Sequence, residues 1–365
     1  MLDGADIKPL TSLRFFAALW VVLYAYWPNL AAPFTPMVIR NGFLGVDLFF
    51  VLSGFILCHV YLPSVAAGHF SYRGFLWNRL ARIYPLHLAT LAGVGVLAAA
   101  AIALGVSVDP HILSWRALPA DLLMIHAWGF APVSGWNHSS WSISAEWFAY
   151  LAFPLFAWVA LRARGRPRLA LAGAVALLVF LYLAFPAVAG FPLTEATISW
   201  GALRIVPTFA LGCATWMLWN ASATDRRKAA AGASFFGAAA LLGGQLAAPD
   251  WAIVACFAGL IWSLAKLAQA GAAFGSQPVL VYLGRISYAI YMIFVPWQIV
   301  FVNIASRLLH LSDKKLPWYV WIFYVGCLIP LAALAHHLIE KPARHGLRLW
   351  ADRPRDHEIA TAPAT

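Results

Sequence analysis

Long apolar stretches alternate with short polar segments along nearly the whole chain. Each apolar stretch holds about twenty residues, the number that an α-helix needs to cross the hydrocarbon core of a bilayer. We therefore predict an all-α polytopic membrane protein with about ten transmembrane helices. The predicted spans are 10–28, 42–62, 84–105, 140–161, 168–187, 200–219, 229–247, 251–270, 279–303 and 317–340.

One further apolar stretch, 119–130, is too short to be a standard span. It contains Asp121 and His126, and a segment broken by glycine and proline follows it at 129–135. Non-helical backbone is tolerated at membrane depth only where protein or a water-filled cavity surrounds it. We predict that 106–139 forms an external element between helices 3 and 4, which could dip back into the membrane where protein buries it.

The basic residues of the loops predict the orientation of the chain. With the N-terminus inside and 119–130 not crossing, the inside segments hold 17 Lys and Arg residues and the outside loops hold 5. If 119–130 crossed, the four arginines of the loop 162–168 would lie outside, against the cytoplasmic preference of basic loops. Both termini are therefore predicted to be cytoplasmic. Residues 1–350 are predicted to form one membrane domain, followed by a disordered polar tail at 351–365.

Composition excludes most other classes of protein. Hydrophobic residues make up 62% of the 365 residues and charged residues 11%, which no soluble domain could cover with a water-compatible surface. The net charge of +11 could suggest a nucleic-acid partner, but the basic residues lie mostly in loops where they set topology, so none is predicted. The four cysteines lie inside apolar stretches without metal-ligand spacing, so neither a metal site nor a disulfide framework is expected.

Ionisable residues inside predicted spans are candidates for function, because burying them in hydrocarbon is costly. The alternative for each is a polar residue satisfied by a neighbouring helix, or one near a helix end that extends to the interface. Arg14 lies near the inner end of the first span. Eleven residues later, on nearly the same helix face and about 16 Å along the axis, position 25 holds alanine.

The second span carries Asp47 near its predicted external end, in Gly-Val-Asp-Leu-Phe-Phe-Val-Leu-Ser-Gly-Phe at 45–55. Asp47 has no basic neighbour in its own helix, so it needs a partner from another one. Gly54 shares its face and would allow another helix or a ligand to approach closely.

The fourth span begins with the pattern Trp-Ser-x-Ser-x-Glu at 141–146. Ser142, Glu146 and Tyr150 recur every four residues on one face. A capped helix N-terminus would explain Ser142, but not a glutamate that faces hydrocarbon. We expect Glu146 about one turn below the external surface, in the same layer as Asp47 and position 25.

Two arginines precede the third span on the cytoplasmic side, in Arg-Leu-Ala-Arg-Ile-Tyr-Pro at 79–85. Arg79 and Arg82 lie three residues apart on one helical face, and guanidinium groups suit phosphate. The alternative is a simple cytoplasmic anchor. Arg285, in 283–291, enters the ninth span from the same side.

These blocks, taken in order, resemble those of the acyltransferase-3 family of integral membrane acyltransferases, which includes exopolysaccharide and lipopolysaccharide O-acetyltransferases. The family's first block is an arginine, ten residues and a histidine, and this chain has Ala25 at the histidine position. The blocks at 45–55, 79–85, 141–146 and 283–291 also match, as does a closing Glu340-x-Pro342. Phe294 is a second departure, because the family usually has a histidine there.

The resemblance implies O-acyl transfer, usually of acetyl, from cytoplasmic acyl-coenzyme A to a hydroxyl of an external glycan or lipid-linked saccharide. It implies a multi-pass protein of the bacterial inner membrane, surrounded by lipid and requiring no metal. The histidine expected at position 25 would act as general base or acyl carrier, so this copy is predicted to be inactive.

The resemblance also implies roles for individual residues. The catalytic residues would be position 25 (Ala25), Glu146 and Asp47, with Asp47 orienting the imidazole. Acetyl-coenzyme A would be bound by Arg14, Arg79, Arg82, Arg285, Ser53 and Tyr288. The acceptor would be bound by Asn137, Trp141, Ser142, Ser144 and Tyr150.

Two other functions are compatible with the same residues. Buried Arg, Asp and Glu also mark proton and solute pathways, so the chain could be a proton-coupled transporter. Against this, the sequence has no internal repeat and no paired broken helices in corresponding halves. The chain could also be a catalytically silent homologue, which Ala25 would suit.

Overall fold

The computed structural model describes residues 6–351 apart from Ser107 and His111. Most of the tail predicted at 351–365 thus lies outside the described residues, as do residues 1–5. Among the described residues the regular structure is helical, with no strand. The α-helices are α1 Lys8–Tyr26, α2 Met37–Arg40, α3 Gly45–Ala66, α4 Tyr72–Ala103, α5 Leu118–Leu122, α6 Trp141–Leu151, α7 Phe153–Arg162, α8 Pro167–Ala189, α9 Gly201–Ala221, α10 Arg226–Gln245, α11 Asp250–Gln269, α12 Pro278–Arg285, α13 Ser287–Leu308, α14 Trp318–Ala335 and α15 Lys341–Ala351, with a π-helical turn at His336–Glu340.

The prediction of an all-α polytopic membrane protein is confirmed. Eight described helices are long and apolar enough to cross a membrane, or nine if the bent pair α6–α7 is one span. The seventh predicted span, 229–247, corresponds to α10, which is 20 residues long but is not among these helices. It begins with three basic residues, Arg226, Arg227 and Lys228, and continues with many small ones, so it is less apolar than the others.

Helices α3 and α9 cross in very close contact, because each contributes a glycine. A Cβ at Gly54 would lie 2.2 Å from the main-chain oxygen of Phe209, and one at Gly212 would lie 2.1 Å from that of Val51. No side chain fits in either place. Gly54 therefore admits a neighbouring helix, one of the two possibilities that the sequence left open.

The segment between α4 and α6 turns back along α4. The main-chain oxygen of Asp121 lies 2.8 Å from Nε2 of His87, and the Tyr84 hydroxyl donates to the oxygen of Leu122 at 3.0 Å. His87 lies sixteen residues before Ala103, the last residue of α4, which is about 24 Å along a helix. The segment is thus re-entrant relative to its neighbouring helix.

A hydrogen-bonded cluster closes the re-entrant segment onto the start of α6. Nδ1 of His126 lies 3.3 Å from Oδ1 of Asp121, and Nε2 of His126 lies 3.2 Å from Oγ of Ser140. Burial raises the pKa of Asp121 to about 7 and lowers the pKa of His126 to about 3. Both shifts favour uncharged side chains. Nε2 of His126 donates to Ser140, while Nδ1 of His126 is in contact with Asp121 without a hydrogen bond. Ser140 in turn donates to the main-chain oxygen of Asn137 at 2.8 Å.

The fourth predicted span, 140–161, is therefore not one straight helix that starts at the external surface. Helix α6 begins at Trp141, beside the re-entrant cluster and far below the external end of α4. It meets α7 at an angle of 54°. The break lies just before Pro154, the second residue of α7, because proline cannot continue the hydrogen bonding of the preceding helix and clashes with its last turn.

Candidate active site

Two adjoining cavities lie among α1, α3, α6 and α13. The inner cavity is reached by Arg14 near the start of α1, and the outer cavity by Ala25 near its end. Val46 and Tyr291 line both, so they form the boundary between them. The inner cavity is lined by Arg14, Val46, Phe49, Phe50, Ser53, Ile56, Leu57, Arg79, Arg82, Ile83, Ser142, Ile143, Glu146, Tyr150, Ser287, Tyr288 and Tyr291. The outer cavity is lined by Val21, Tyr24, Ala25, Arg40, Phe43, Val46, His138, Ser139, Trp141, Thr194, Glu195, Thr197, Arg204, Tyr291, Phe294, Val295 and Gln298.

The inner cavity carries an excess of positive charge. Three arginines, Arg14, Arg79 and Arg82, face a single carboxylate, Glu146, among the described residues that line it. Arg79 and Arg82 project from one face of α4, as predicted. Arg14 lies close enough to Arg82 for their charges to repel. Such an arrangement is held at a cost that a bound anion would offset.

Polar and aromatic groups hold these charges in place. Ser53 donates to Oε1 of Glu146 at 2.5 Å. Arg79 donates to the Tyr61 hydroxyl at 3.2 Å, and its guanidinium lies 5.5 Å from the centroid of the Tyr61 ring and 6.0 Å from that of Tyr150. Contacts of this kind order a long side chain before any ligand arrives.

The position of Glu146 differs from the prediction. We expected it in one external layer with Asp47 and position 25, but it lies in the inner cavity with the arginines, while Ala25 lines the outer one. The reason is the re-entrant segment, which starts α6 far below the external end of α4. Five residues along α6, Glu146 then reaches the depth of the basic cluster.

The outer cavity is larger and its lining has a smaller excess of positive charge. Its volume is about 700 Å³, against about 80 Å³ for the inner cavity. The described lining holds two arginines, Arg40 and Arg204, and one carboxylate, Glu195. Gln298 donates to the main-chain oxygen of Ala25 at 3.0 Å, which fixes the end of α1 against α13.

Asp47 is completely buried and is paired with Arg204 of α9. Its Oδ2 accepts from Nη2 of Arg204 at 2.6 Å, and its Oδ1 accepts from Nε at 3.2 Å. Tyr182 donates to the same Oδ1 at 3.2 Å. The structure supplies the partner from another helix that the sequence required. Asp47 does not line the outer cavity, whereas Ala25 does. The structure therefore does not provide the expected contact between Asp47 and a side chain at position 25.

Arg204 is a site residue that the sequence analysis did not assign. It lines the outer cavity, and its guanidinium lies 5.0 Å from the centroid of the Trp141 ring. Its presence inside a predicted span was the available signal, because an ionisable residue there demands a partner. Its partner lies 157 residues away in the chain, so spacing could not identify it.

The other predicted residues divide into three groups. Ser53, Ser142, Tyr150 and Tyr288 line the inner cavity, and Trp141 lines the outer one. Ser142 and Tyr150, predicted to bind the acceptor, therefore face the basic cavity. Asn137 and Ser144 line neither cavity.

Asn137 and Ser144 make structural hydrogen bonds instead. Asn137 donates to the main-chain oxygen of Met292 at 2.9 Å, and Ser144 donates to that of Met124 at 2.8 Å. Arg285 also lies away from both cavities, since its exposed side chain is 3.7 Å from the carboxylate of Asp6. Across 6–351 without 107 and 111, no group of three or more His, Cys, Asp or Glu residues could hold a metal ion.

Comparison with known proteins agrees with this architecture. Residues 8–337 match the acyltransferase-3 family model, described as an acyltransferase domain. The chain is 33% identical over 314 residues to the acyltransferase MdmB of Streptomyces mycarofaciens, a match covering 79% of this chain and 78% of MdmB. It is 36% identical over 80 residues to YrhL of Bacillus subtilis (strain 168), named as a candidate peptidoglycan O-acetyltransferase, covering 22% of this chain and 11% of YrhL.

A third relative, protein 2 in the picA locus of Rhizobium radiobacter, is 46% identical over 52 residues, covering 14% of this chain and 27% of that protein. No solved structure matches the chain. The family match spans nearly all of the described residues, including every helix that borders the two cavities. The chain is therefore a multi-pass membrane acyltransferase of the acyltransferase-3 family.

Proposed function

We propose that the chain binds acyl-coenzyme A, with acetyl as the usual acyl group, at the inner cavity and transfers the acyl group to a glycan hydroxyl in the outer cavity. The observation that carries this proposal is the contrast between two cavities that meet at Val46 and Tyr291. A basic cavity suits an anionic donor, and a larger cavity in which Arg204 is already paired with Asp47 suits a neutral acceptor.

The donor side is supported by the three arginines. Guanidinium groups bind phosphate oxygens through charged hydrogen bonds, and coenzyme A carries several phosphates at one end. The inner cavity, at about 80 Å³, is much smaller than the outer cavity, at about 700 Å³. We therefore place the narrow thioester arm inside the inner cavity and the nucleotide at its cytoplasmic entrance.

The acceptor side is supported by the lining of the outer cavity. Trp141 offers an aromatic face, and Gln298, Thr194 and Glu195 offer hydrogen-bonding groups. Sugars present apolar C–H faces and polar hydroxyls, so this mixture suits a glycan or a lipid-linked saccharide. In the proposed topology both termini are cytoplasmic, the membrane is the bacterial inner membrane, and the outer cavity opens externally.

In the reaction, the acceptor oxygen attacks the thioester carbonyl as a base removes its proton. A new C–O ester bond forms, the C–S bond breaks, and the coenzyme A thiolate takes up the proton. Ala25 lines the outer cavity, so a histidine in its place would project toward the acceptor. With alanine there, we propose that the chain turns over only slowly.

The test is to restore the histidine. Ala25→His is expected to raise acceptor-dependent release of coenzyme A from acetyl-coenzyme A by about 10² to 10⁴, the usual contribution of a general base. Ala25→Gln is the matched control, since it adds similar bulk without a titrating nitrogen, and it should not raise the rate. If Ala25→His gives no transfer to any acceptor while its vesicles conduct protons or accumulate a solute, the chain is a transporter.

A further inference from the structure

The outer cavity contains a histidine although position 25 holds alanine. His138 is the single histidine among the described residues of its lining. It lies in the 3₁₀ turn His138–Ser140, directly before α6, and its side chain is exposed within the cavity. Neither the family blocks nor the proposed function assigns it a role.

Among the described residues, the imidazole of His138 makes a hydrogen bond through one of its nitrogens. Nδ1 lies 2.6 Å from Oγ of Ser134. With the proton on Nδ1, that nitrogen donates to Ser134, and the lone pair of Nε2 is left available to the cavity. A histidine oriented through one nitrogen and open at the other is the arrangement that a general base needs.

The backbone that carries His138 is fixed on both sides. Asn137 is tied to α13 through the main-chain oxygen of Met292, and Ser139 donates to Oδ1 of Asn137 at 2.9 Å. Ser140 is joined to the buried His126 of the re-entrant segment. The backbone of His138 is therefore joined to α13 and to the re-entrant segment, while Ser134 orients its ring.

We propose that His138 is the general base for the acceptor hydroxyl in this chain. The proposal rests on the proposed function. Nε2 of His138 takes the hydroxyl proton as the acceptor oxygen bonds to the thioester carbon and the C–S bond breaks. The imidazolium then returns this proton to the coenzyme A thiolate, so the histidine is unchanged after each turnover.

The experiment compares coenzyme A release in the unaltered chain, His138→Gln, Ala25→His and the double variant Ala25→His/His138→Gln. Glutamine keeps polarity and approximate size but cannot act as a base. The unaltered chain is expected to show slow, acceptor-dependent release, and His138→Gln to lower it by about 10² or to background. Ala25→His/His138→Gln should keep most of the rate of Ala25→His, because position 25 then supplies the base.

Two controls separate catalysis from folding. His69→Gln, in the exposed loop after α3, should leave the slow rate unchanged. Acetyl-coenzyme A should bind His138→Gln and the unaltered chain with equal affinity in calorimetry, which shows that the turn before α6 is intact.

The proposal is overturned if His138→Gln releases coenzyme A as fast as the unaltered chain. It is also overturned if the unaltered chain shows no acceptor-dependent release while Ala25→His is active, a result that leaves the proposed function standing. Failure of Ala25→His itself would instead remove the proposed function, and this proposal with it.

Discussion

The inner and outer cavities share four bordering helices, α1, α3, α6 and α13, but they differ in how their arginines are paired. In the inner cavity three arginines face one glutamate, so positive charge is left over. In the outer cavity Arg204 is bound to the buried Asp47 through two hydrogen bonds, and Arg40 and Glu195 are the other charged residues of the described lining. Positive charge without an acidic partner in the protein favours the binding of an anionic ligand, whereas a paired charge stabilises the packing of helices.

The comparison also distinguishes two roles that a polar residue can have inside a membrane, a structural one and a ligand-binding one. Both Asp47 and Glu146 are carboxylates on helices, and sequence reasoning treated them alike. Asp47 has no exposed surface and three hydrogen bonds from Arg204 and Tyr182. Glu146 is only half-buried and faces a cavity with a hydrogen bond from Ser53. Glu146 is therefore available to a substrate, and Asp47 is not.

The comparison depends most strongly on which side of the membrane each cavity faces, and labelling of introduced cysteines tests this. Arg164→Cys, in the loop after α7, and Arg116→Cys, in the re-entrant segment, each replace an exposed arginine. In intact cells an impermeant thiol reagent is expected to label the second and leave the first unlabelled. Labelling at 164 but not at 116 would reverse the orientation and, with it, the terms inner and outer.

Breaking the buried pair should produce the next largest effect. Arg204→Ala leaves Asp47 buried and uncompensated, which commonly costs 3–5 kcal/mol. We expect a strongly lowered unfolding temperature in detergent. Arg285→Ala is the matched control, because the exposed pair with Asp6 contributes at most about 1 kcal/mol. Equal stability of the two variants would show that the outer charges are not structural.

Donor binding should respond to the inner cavity alone. Arg82→Ala removes charged hydrogen bonds worth about 1.5–3 kcal/mol each, so acetyl-coenzyme A should bind about 10 to 100 times more weakly in calorimetry. The loss should be greater at low salt than at high salt, because salt screens exposed charges. Arg285→Ala again serves as control and should bind normally. Unchanged affinity for both Arg82→Ala and Arg14→Ala would place the phosphates elsewhere.

The smallest effect concerns the cluster that sets the depth of α6. If Asp121 is uncharged, Asp121→Asn keeps an uncharged polar group of the same size beside His126 and should change stability by less than about 1 kcal/mol. His126→Ala removes the link to Ser140 and leaves buried groups unpaired, which costs about 1–3 kcal/mol. Thermal unfolding of the two variants measures the difference. A severe loss in Asp121→Asn would mean that the carboxylate is charged.

Much of the molecule could be predicted from local pattern. Spans follow from the length of the apolar stretches. Each of the eight described helices that are long and apolar enough to cross a membrane corresponds to a predicted span. Helical periodicity predicts that Arg79 and Arg82 share one helix face. Arg14 lines the same cavity because it lies near the same end of the bundle. The close approach at Gly54 was predicted from its missing side chain, although which helix would fill the space was not.

Other features depended on contacts between distant parts of the chain. No local signal indicated that Asp47 would meet Arg204, or that His138 would share a cavity with Ala25. The depth of Glu146 was predicted wrongly, because a segment that is broken by glycine and proline does not reveal how far it folds back. That distance is set by hydrogen bonds from α4 to Asp121 and Leu122.

The sequence by itself determined the membrane class, the helices and the residue types available for chemistry, because apolar length and helical period act within one element. The tertiary structure decided which charges remain without partners and which cavity each one faces. Ion pairing and depth depend on how separate elements pack. The re-entrant segment folds back about 24 Å along α4, which moves Glu146 from the expected external layer to the basic cavity.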